Sequence, residues 1–358
     1  MKALIAAGGH ATRLRPITNT INKHLIPLAN KPMIEYAIEK VAECGITEVA
    51  INVNPGEREV QKAVGDGSRW GVNIICIEQQ GGAKGIAHAI LNARDWIAGD
   101  SFVYYLGDNV MLGSIRPLFD RFKREDLDCL LALSRVPDPQ RFGVPEIRNG
   151  RIMRVIEKPE HPPSDFAVTG IYIYKPCILR AVADLRPSER GEYEISDAHT
   201  WLINHAHSVG YEEITGWWKD TGKPEDLLHG NELLLDLIDR SEMGDGVRRE
   251  NGTIVDGKAV IGRGTELGRG AVIRGPVNIG QNCMIKEATV GPYVSIGDNA
   301  RIERSHVERS LIMEGTHIVD GHWISRSIFG RGVRAMPMAE SGERENRFIL
   351  GDHSVVEW

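Results

Sequence analysis

The sequence predicts an α/β domain with a mostly parallel sheet, followed by an all-β parallel helix of short repeats. Two patterns carry this. From Met1 to about Arg240, short apolar runs alternate with helical patterns, which implies a mostly parallel sheet covered on both faces. From residue 254 the helical patterns stop and apolar residues recur every six positions. An amphipathic helix cannot sustain a period of six, and a plain hairpin alternates at two.

The strand candidates of the first domain are Lys2 to Ala7, Glu48 to Asn52, Val72 to Glu78, Ser101 to Leu106, Cys129 to Ser134 and Gly170 to Tyr174. Pro32 to Cys44 sets Ile34, Ala37, Ile38 and Val41 on one helical face and ends at Gly45, a C-cap signal. Pro224 to Glu242, rich in leucine, reads as an amphipathic helix closing a domain of residues 1–243. Gly244, Gly246 and Gly252 mark 244–253 as a linker. The repeats then run from 254 to 334 through Ile261, Leu267, Ile273, Ile279 and Ile285. The phase slips to Val290, resumes at Ile296 and Ile302, and slips again through Val307 to Ile312, Ile318 and Ile324. Coils contributing three short faces each produce this rhythm. It fades over 335–358, a tail or cap in which Arg347 to Val356 reads as a last strand.

At 358 residues the chain has room for two domains. Its composition, 42% apolar and 26% charged, is that of a globular protein. A net charge of -6 without long runs argues against nonspecific nucleic-acid binding. No apolar run approaches a membrane span, and the opening MKALIAAGG enters a glycine turn too soon for a signal peptide, so a cytoplasmic location is expected. Cys44, Cys76, Cys129, Cys177 and Cys283 are scattered without a CxxC and read as reduced residues rather than disulfides or a zinc site.

The chain is organised around Ala6 to Thr18, AAGGHATRLRPIT, which follows the first strand. Glycines let backbone N–H groups approach an anion, and Arg13 and Arg15 supply the charge a polyphosphate needs. Neither a Gly-Lys-Ser/Thr ending nor GxGxxG is present, so the two best-known phosphate loops do not apply. Gly8-Gly9-His10-Ala11-Thr12-Arg13-Leu14-Arg15-Pro16 instead resembles the signature loop of the sugar nucleotidyltransferases. With Lys23 in NKHLIP and the KPMIEYAI run from Lys31, it is similar to the hexose-1-phosphate thymidylyl/uridylyl-transferring branch. One departure is Ala11, where the family usually has glycine. The six-residue rhythm resembles the hexapeptide-repeat left-handed β-helix, and together the two domains resemble the long form of that branch, with a Rossmann-like first domain.

The resemblance implies roles for further residues. Gly8, Gly9, Ala11, Thr12 and Arg13 would hold the nucleotide, with Arg13 and Lys23 catalytic. Gln80 and Gly85 stand at the spacing that reads the base in the family, and an amide suits the imide edge of thymine or uracil. Asp108 lies just past the tip of the fourth strand candidate, where a buried acid calls for a cation or donors. With Asp220 in WWKDTG it matches the family's magnesium-binding pair. Glu157-Lys158-Pro159 resembles the sugar-phosphate motif, flanked by Arg141-Phe142-Gly143 and Thr169-Gly170-Ile171-Tyr172. Arg190 to Asp197 and Trp218 complete the likeness, so Gly143, Glu157, Lys158, Thr169, Glu194, Ile195 and Trp218 would form the sugar-phosphate site.

The implied reaction joins glucose-1-phosphate to dTTP, or to UTP, with Mg²⁺, releasing pyrophosphate. The implied partners are these small molecules and further copies of the chain, since an exposed β-helix favours self-association. Three alternatives stay open on sequence alone. The β-helix could add acyl transfer with His306, His317 or His322 as base, the fold could serve as a noncatalytic regulatory subunit, or the specificity could be uridylyl or guanylyl transfer.

Overall fold

The computed structural model describes residues 1–9, 11–336 and 345–357. His10 of the opening loop and part of the 335–358 tail lie outside them. The contacts divide the chain into two compact units. One comprises Met1–His10 with Met33–Asp220, and the other Ala11–Pro32 with Thr221–Trp358.

In the first unit the elements used below are β1 (Lys2–Ala6), α1 (Met33–Glu43), β2 (Glu48–Val53), β3 (Asn73–Glu78), α2 (Ile86–Asn92), β4 (Phe102–Leu106) and β5 (Asn109–Met111). They continue with β6 (Cys129–Arg135), β7 (Gly143–Arg148), β8 (Arg151–Glu157), β9 (Phe166–Tyr174), α3 (Ile178–Asp184), α4 (Ile195–Asn204), β10 (Val209–Glu213) and β11 (Trp218–Asp220). A seven-stranded sheet has the order β10-β6-β9-β4-β1-β2-β3. β1 to β4 are parallel, as are β6 and β10, while β9 runs antiparallel to both its neighbours.

Burial on both faces explains why the central strands are nearly unbroken apolar runs: Leu4, Ile5, Ala50, Ile51, Val103, Tyr104, Leu130 and Leu131 are all buried. Because β1, β2, β3 and β4 are parallel, the loops that follow them leave from one edge of the sheet, where open α/β sheets bind ligands. β5 pairs antiparallel with β11, and β7 with β8, as two small ribbons.

In the second unit the parallel strands stack into three sheets, two of seven strands and one of six, forming the left-handed β-helix. Every apolar position of the six-residue rhythm from Ile261 to Ile324 is buried along its axis. The phase slips are real register changes, because Ile279 pairs with Ile296 and Ile296 with Ile312 as the coils shorten.

Two boundaries differ from the sequence reading. The leucine-rich helix, α5 (Pro224–Leu235), stops before Leu237 and Ile238. Glu242–Met243 and Arg248–Arg249 already pair with the next coil, so residues read as linker build the first coil. That coil was hard to see because it terminates the stack. With no coil below it, Met243 and Arg249 stand exposed at positions that the next coils fill with buried apolar residues. At the other end the stretch read as one last strand holds two short ones, Ile349–Leu350 and Val355–Glu357, which pair with earlier coils in two different sheets.

Candidate active site

The site begins where β1 ends. Ala7 N–H donates to Asn52 O (2.7 Å), and Asn54 clamps the next turn by accepting from Gly9 N (2.9 Å) and donating to Gly9 O (3.0 Å). A Cβ on Gly8 would lie 3.3 Å from both Asn54 Oδ1 and Gln79 Oε1, so close approach to polar side chains explains glycine there. Gly9 has φ 101, a conformation glycine adopts at no steric cost.

The rest of the signature segment lies in the second unit. Ala11 has φ 43 and ψ 41 and precedes a short 3₁₀ turn, Thr12–Leu14. Alanine therefore occupies a left-handed position at a cost of about 1–2 kcal/mol. Thr18 Oγ1 donates to Ala11 O (2.9 Å). Thr12 and Arg13 are exposed, and Lys23 opens a further 3₁₀ turn, Lys23–Leu25, capped by Asn22 Oδ1 accepting from His24 N.

Following β3, Gln79 and Gln80 point apart. Gln80 is exposed, with its backbone N–H on Asn92 Oδ1 (2.8 Å). Gln79 is buried and contacts Gly85 O (3.5 Å) and His88 Nδ1 (3.1 Å) through Nε2. Gly85 has φ 95, and a Cβ there would lie 2.7 Å from Tyr193 O. Backbone thus passes so close to backbone that no side chain fits.

β4 delivers Asp108 to the same edge, buried, with Asn109 beginning β5. β11 pairs so that Asp220 faces Asn109, Lys219 faces Val110 and Trp218 faces Met111. This register puts Asp220 across the ribbon from the residue next to Asp108. Asn109 Nδ2 donates to Thr169 O, and Thr169 Oγ1 donates to Ala132 O (3.0 Å), where the β6–β9 register shifts. Thr169 thus shapes the wall with its backbone and spends its hydroxyl on the sheet. Burial, followed by the negative charge of Asp108, pushes the Tyr104 phenol well above its ordinary pKa.

A cluster of carboxylates lies around α4. Gly143 and Glu157 are opposite one another in the β7–β8 ribbon, and Lys158, at φ 44, donates its N–H to Phe142 O (2.9 Å). Glu157 Oε2 accepts from Ser196 Oγ (2.8 Å), and its Oε1 pairs with Lys158 Nζ (3.4 Å) and Arg190 Nη2 (3.4 Å). Glu194, buried at the start of α4, accepts from Ser188 Oγ (2.7 Å) and Arg190 Nη2 (2.9 Å). Burial and then repulsion from Glu194 and Glu157 raise the Asp197 carboxyl. Trp218 stands edge-on to Phe142 (5.4 Å between rings), and its Nε1 has no hydrogen-bond partner among the described residues. Ile195 belongs to the sheet's apolar core.

Gly8, Gly9, Gln80, Gly85, Asp108, Gly143, Glu157, Lys158, Thr169, Glu194, Ile195, Trp218 and Asp220 all lie in the first unit, with Gln80 exposed and Ile195 in the apolar core, while Ala11, Thr12, Arg13 and Lys23 belong to the second. Sequence reasoning assigned no role to Asn54, Gln79, Arg190 or Ser196. The signal for Arg190 and Ser196 was their place in the stretch that holds Glu194, and for Gln79 the strand-end position beside Gln80.

A loop after β1, acids after β4 and on β11, and a carboxylate–arginine cluster at α4 define a phosphate- and polyol-handling α/β enzyme. The model of the nucleotidyl transferase family matches residues 2–236, and the chain belongs to that family. It is similar over its full length to the glucose-1-phosphate thymidylyltransferase of Streptomyces griseus, 40% identical over 99% of this chain and 98% of that one. The Streptomyces antibioticus enzyme of the same name is 41% identical over 100% of this chain and 99% of its own. Among solved structures, a Bacillus anthracis protein described as a glucose-1-phosphate thymidylyltransferase, with sucrose bound, aligns with a TM-score of 0.62 and 38% identity. It covers 65% of this chain and 94% of its own.

Proposed function

We propose that the protein is a glucose-1-phosphate thymidylyltransferase that condenses glucose-1-phosphate with dTTP to give dTDP-glucose and pyrophosphate. A phosphate oxygen of the sugar phosphate forms a bond to the α-phosphorus as the bond to the bridging oxygen breaks, and pyrophosphate carries away the electron pair. The nucleophile is already anionic, so no side chain need be activated and catalysis is alignment and charge neutralisation.

Gly8 and Gly9 present backbone to the triphosphate, and Arg13 and Lys23 supply positive charge to the α-phosphate and the leaving pyrophosphate. Lys158 holds the attacking phosphate. Glu157 and Glu194, whose carboxylates are oriented by Ser196, Ser188 and Arg190, accept from sugar hydroxyls. Trp218 offers the ring an apolar face and an unengaged indole N–H. For the base, Gln79 is better buried than Gln80 and already contacts Gly85, so we assign the imide edge to Gln79 and Gly85.

We assign the divalent cation to Asp108 and Asp220, an all-oxygen donor pair that suits a hard ion such as Mg²⁺; the β5–β11 register, which pairs Asp220 with Asn109, the residue after Asp108, supports this. When bound, that cation neutralises triphosphate charge. This register is the observation that supports the assignment most strongly, because an isolated Asp-Gly turn has no need of a second acid on a distant strand. The test is pyrophosphate release by purified protein and by Lys23→Ala and Asp108→Ala. Folded variants that have lost most turnover support the reading; near-normal rates in either overturn it.

A further inference from the structure

At the sheet edge farthest from β3, three metal-ligating side chains from separate segments converge. Asp128 directly precedes β6, His207 lies two residues before β10, and Cys177 caps the N-terminus of α3. One donor atom from each lies within 4.8 Å of the others, and all three residues are half-buried. His207 Nδ1 is 3.2 Å from Asp128 Oδ2. That is close to the ~3.3 Å between two ligands on a tetrahedral ion with bonds of ~2.0–2.1 Å.

The framework around them is stiff. β6 and β10 pair in parallel from Cys129 and Val209, and Asp128 N donates to Ser208 O (2.9 Å). Ser208 N donates to Asp128 Oδ2 (3.0 Å), and Lys175 Nζ lies 3.4 Å from the other oxygen, Oδ1. The carboxylate is thus oriented by groups behind it, in the way outer-shell partners orient metal ligands. Cys177 Sγ points its weak donor at Lys175 O (3.7 Å) and Asp128 O (4.0 Å). Trp201 shields one side, with its ring 6.1 Å from that of His207.

We propose that Asp128, Cys177 and His207 form a binding site for a borderline-soft divalent cation of the zinc type, with water as the fourth ligand. On binding, the Cys177 S–H bond breaks and its proton goes to solvent. His207 coordinates through Nδ1 as the neutral Nε2–H tautomer, and Asp128 coordinates through Oδ2. Two anionic ligands against a doubly charged ion leave the site neutral, which suits its half-buried position. The mixed N, O and S donor set selects a zinc-type ion over magnesium, which the all-oxygen Asp108–Asp220 pair suits better.

The site lies at the amino ends of β6 and β10, whereas Asp108 follows the carboxyl end of β4, so its role is to clamp a sheet edge rather than to serve the reaction. β10 is an edge strand, held on one side only by β6. A cation joining the turn before β10, the start of β6 and α3 restrains the fraying to which edge strands are prone. Without a cation, burial and then the charge of Asp128 raise the Cys177 thiol.

The experiment is titration of the chelator-treated full chain with Co²⁺, followed by displacement with Zn²⁺, in wild type, Cys177→Ser and His207→Ala. The expected result is one equivalent of Co²⁺ giving a thiolate-to-cobalt charge-transfer band in wild type, lost on adding Zn²⁺. The band should be absent in Cys177→Ser, and binding at least about tenfold weaker in His207→Ala. Zn²⁺ should raise the unfolding midpoint of wild type by several degrees and raise that of each variant by clearly less. Because the other four cysteines remain in Cys177→Ser, a band of equal strength in that variant overturns the assignment, as does the absence of any band in wild type.

Discussion

The hairpin turn between Leu28 and Lys31, five residues beyond Lys23, is tied to the β-helix by side-chain amides, and cutting that tie should loosen the whole signature segment. Asn278 Nδ2 donates to Ala29 O (3.0 Å) and Asn278 Oδ1 accepts from Asn30 Nδ2 (3.0 Å). Asn30 Nδ2 also reaches Asn278 O (3.1 Å) and Ile296 O (2.8 Å). On the other side of the turn Asn231 Oδ1 accepts from Ala29 N (2.8 Å) and from Ser295 Oγ (2.7 Å). Ala29 and Asn30 have φ 46 and φ 62, so the turn is held in a conformation that non-glycine residues adopt only at a cost. Asn278→Ala removes two side-chain hydrogen bonds at about 1 kcal/mol each, so docking of the turn should weaken by about 2 kcal/mol.

The assay is amide hydrogen exchange across residues 11–32 together with the nucleotide dependence of pyrophosphate release. A 2 kcal/mol loss corresponds to exchange up to ~30-fold faster in that segment. KM for the nucleotide should rise in step. Ser310→Ala serves as the control. Ser310 is buried deeper in the β-helix and donates to Glu308 O (2.6 Å) while accepting from Ser327 N (3.1 Å), so its loss destabilises the stack without touching the turn. If Asn278→Ala leaves exchange over 11–32 unchanged, or if Ser310→Ala slows the enzyme equally, the tether reasoning is wrong.

Three further outcomes are expected. Gln79→Ala should raise the nucleotide KM by roughly 10- to 100-fold, as leaving a buried polar partner unpaired costs about 1–3 kcal/mol, while Gln80→Ala stays within about twofold; steady-state kinetics with the reverse ranking would return the base contact to Gln80. Gly85→Ala should lower stability by at least about 2 kcal/mol in denaturant melts, since its φ of 95 and the 2.7 Å approach of Tyr193 O leave the methyl no room; a wild-type midpoint would contradict this. His199, fully buried with Nε2 2.7 Å from the Tyr174 hydroxyl, has its pKa lowered by burial to about 3. The unfolded chain therefore takes up this proton at higher pH than the folded one. Stability should fall as pH drops from about 6.5 toward 3, by about 1.4 kcal/mol per unit, and His199→Gln should flatten that slope in pH-dependent unfolding.

Much of this was legible in the sequence. The six-residue rhythm marked the coils from Ile261 to Ile324, because each coil must present an apolar residue inward at each face and the period is imposed by geometry. The strand candidates end within a residue of the observed strands, since buried parallel strands leave little room for polar residues, but Phe166–Tyr174 starts four residues before its candidate and the edge strand Val209–Glu213 had none. What the sequence withheld was local register and distant pairing. Gln79 and Gln80 are chemically identical, and only the pleat at the end of β3 decides which one turns inward. Asn30 and Asn278 meet across 248 positions of sequence, and neither residue type signals such a meeting. The first coil was missed because a terminal coil lacks a neighbour to bury its core positions, and Leu237 and Ile238 looked helical although α5 had already ended.

The most direct test of the proposed activity is pyrophosphate release from glucose-1-phosphate with dTTP, UTP, ATP, GTP and CTP in parallel, each with and without Mg²⁺. The account predicts Mg²⁺-dependent turnover that is strongest with dTTP. A folded preparation that releases no pyrophosphate with any of the five nucleotides would contradict it.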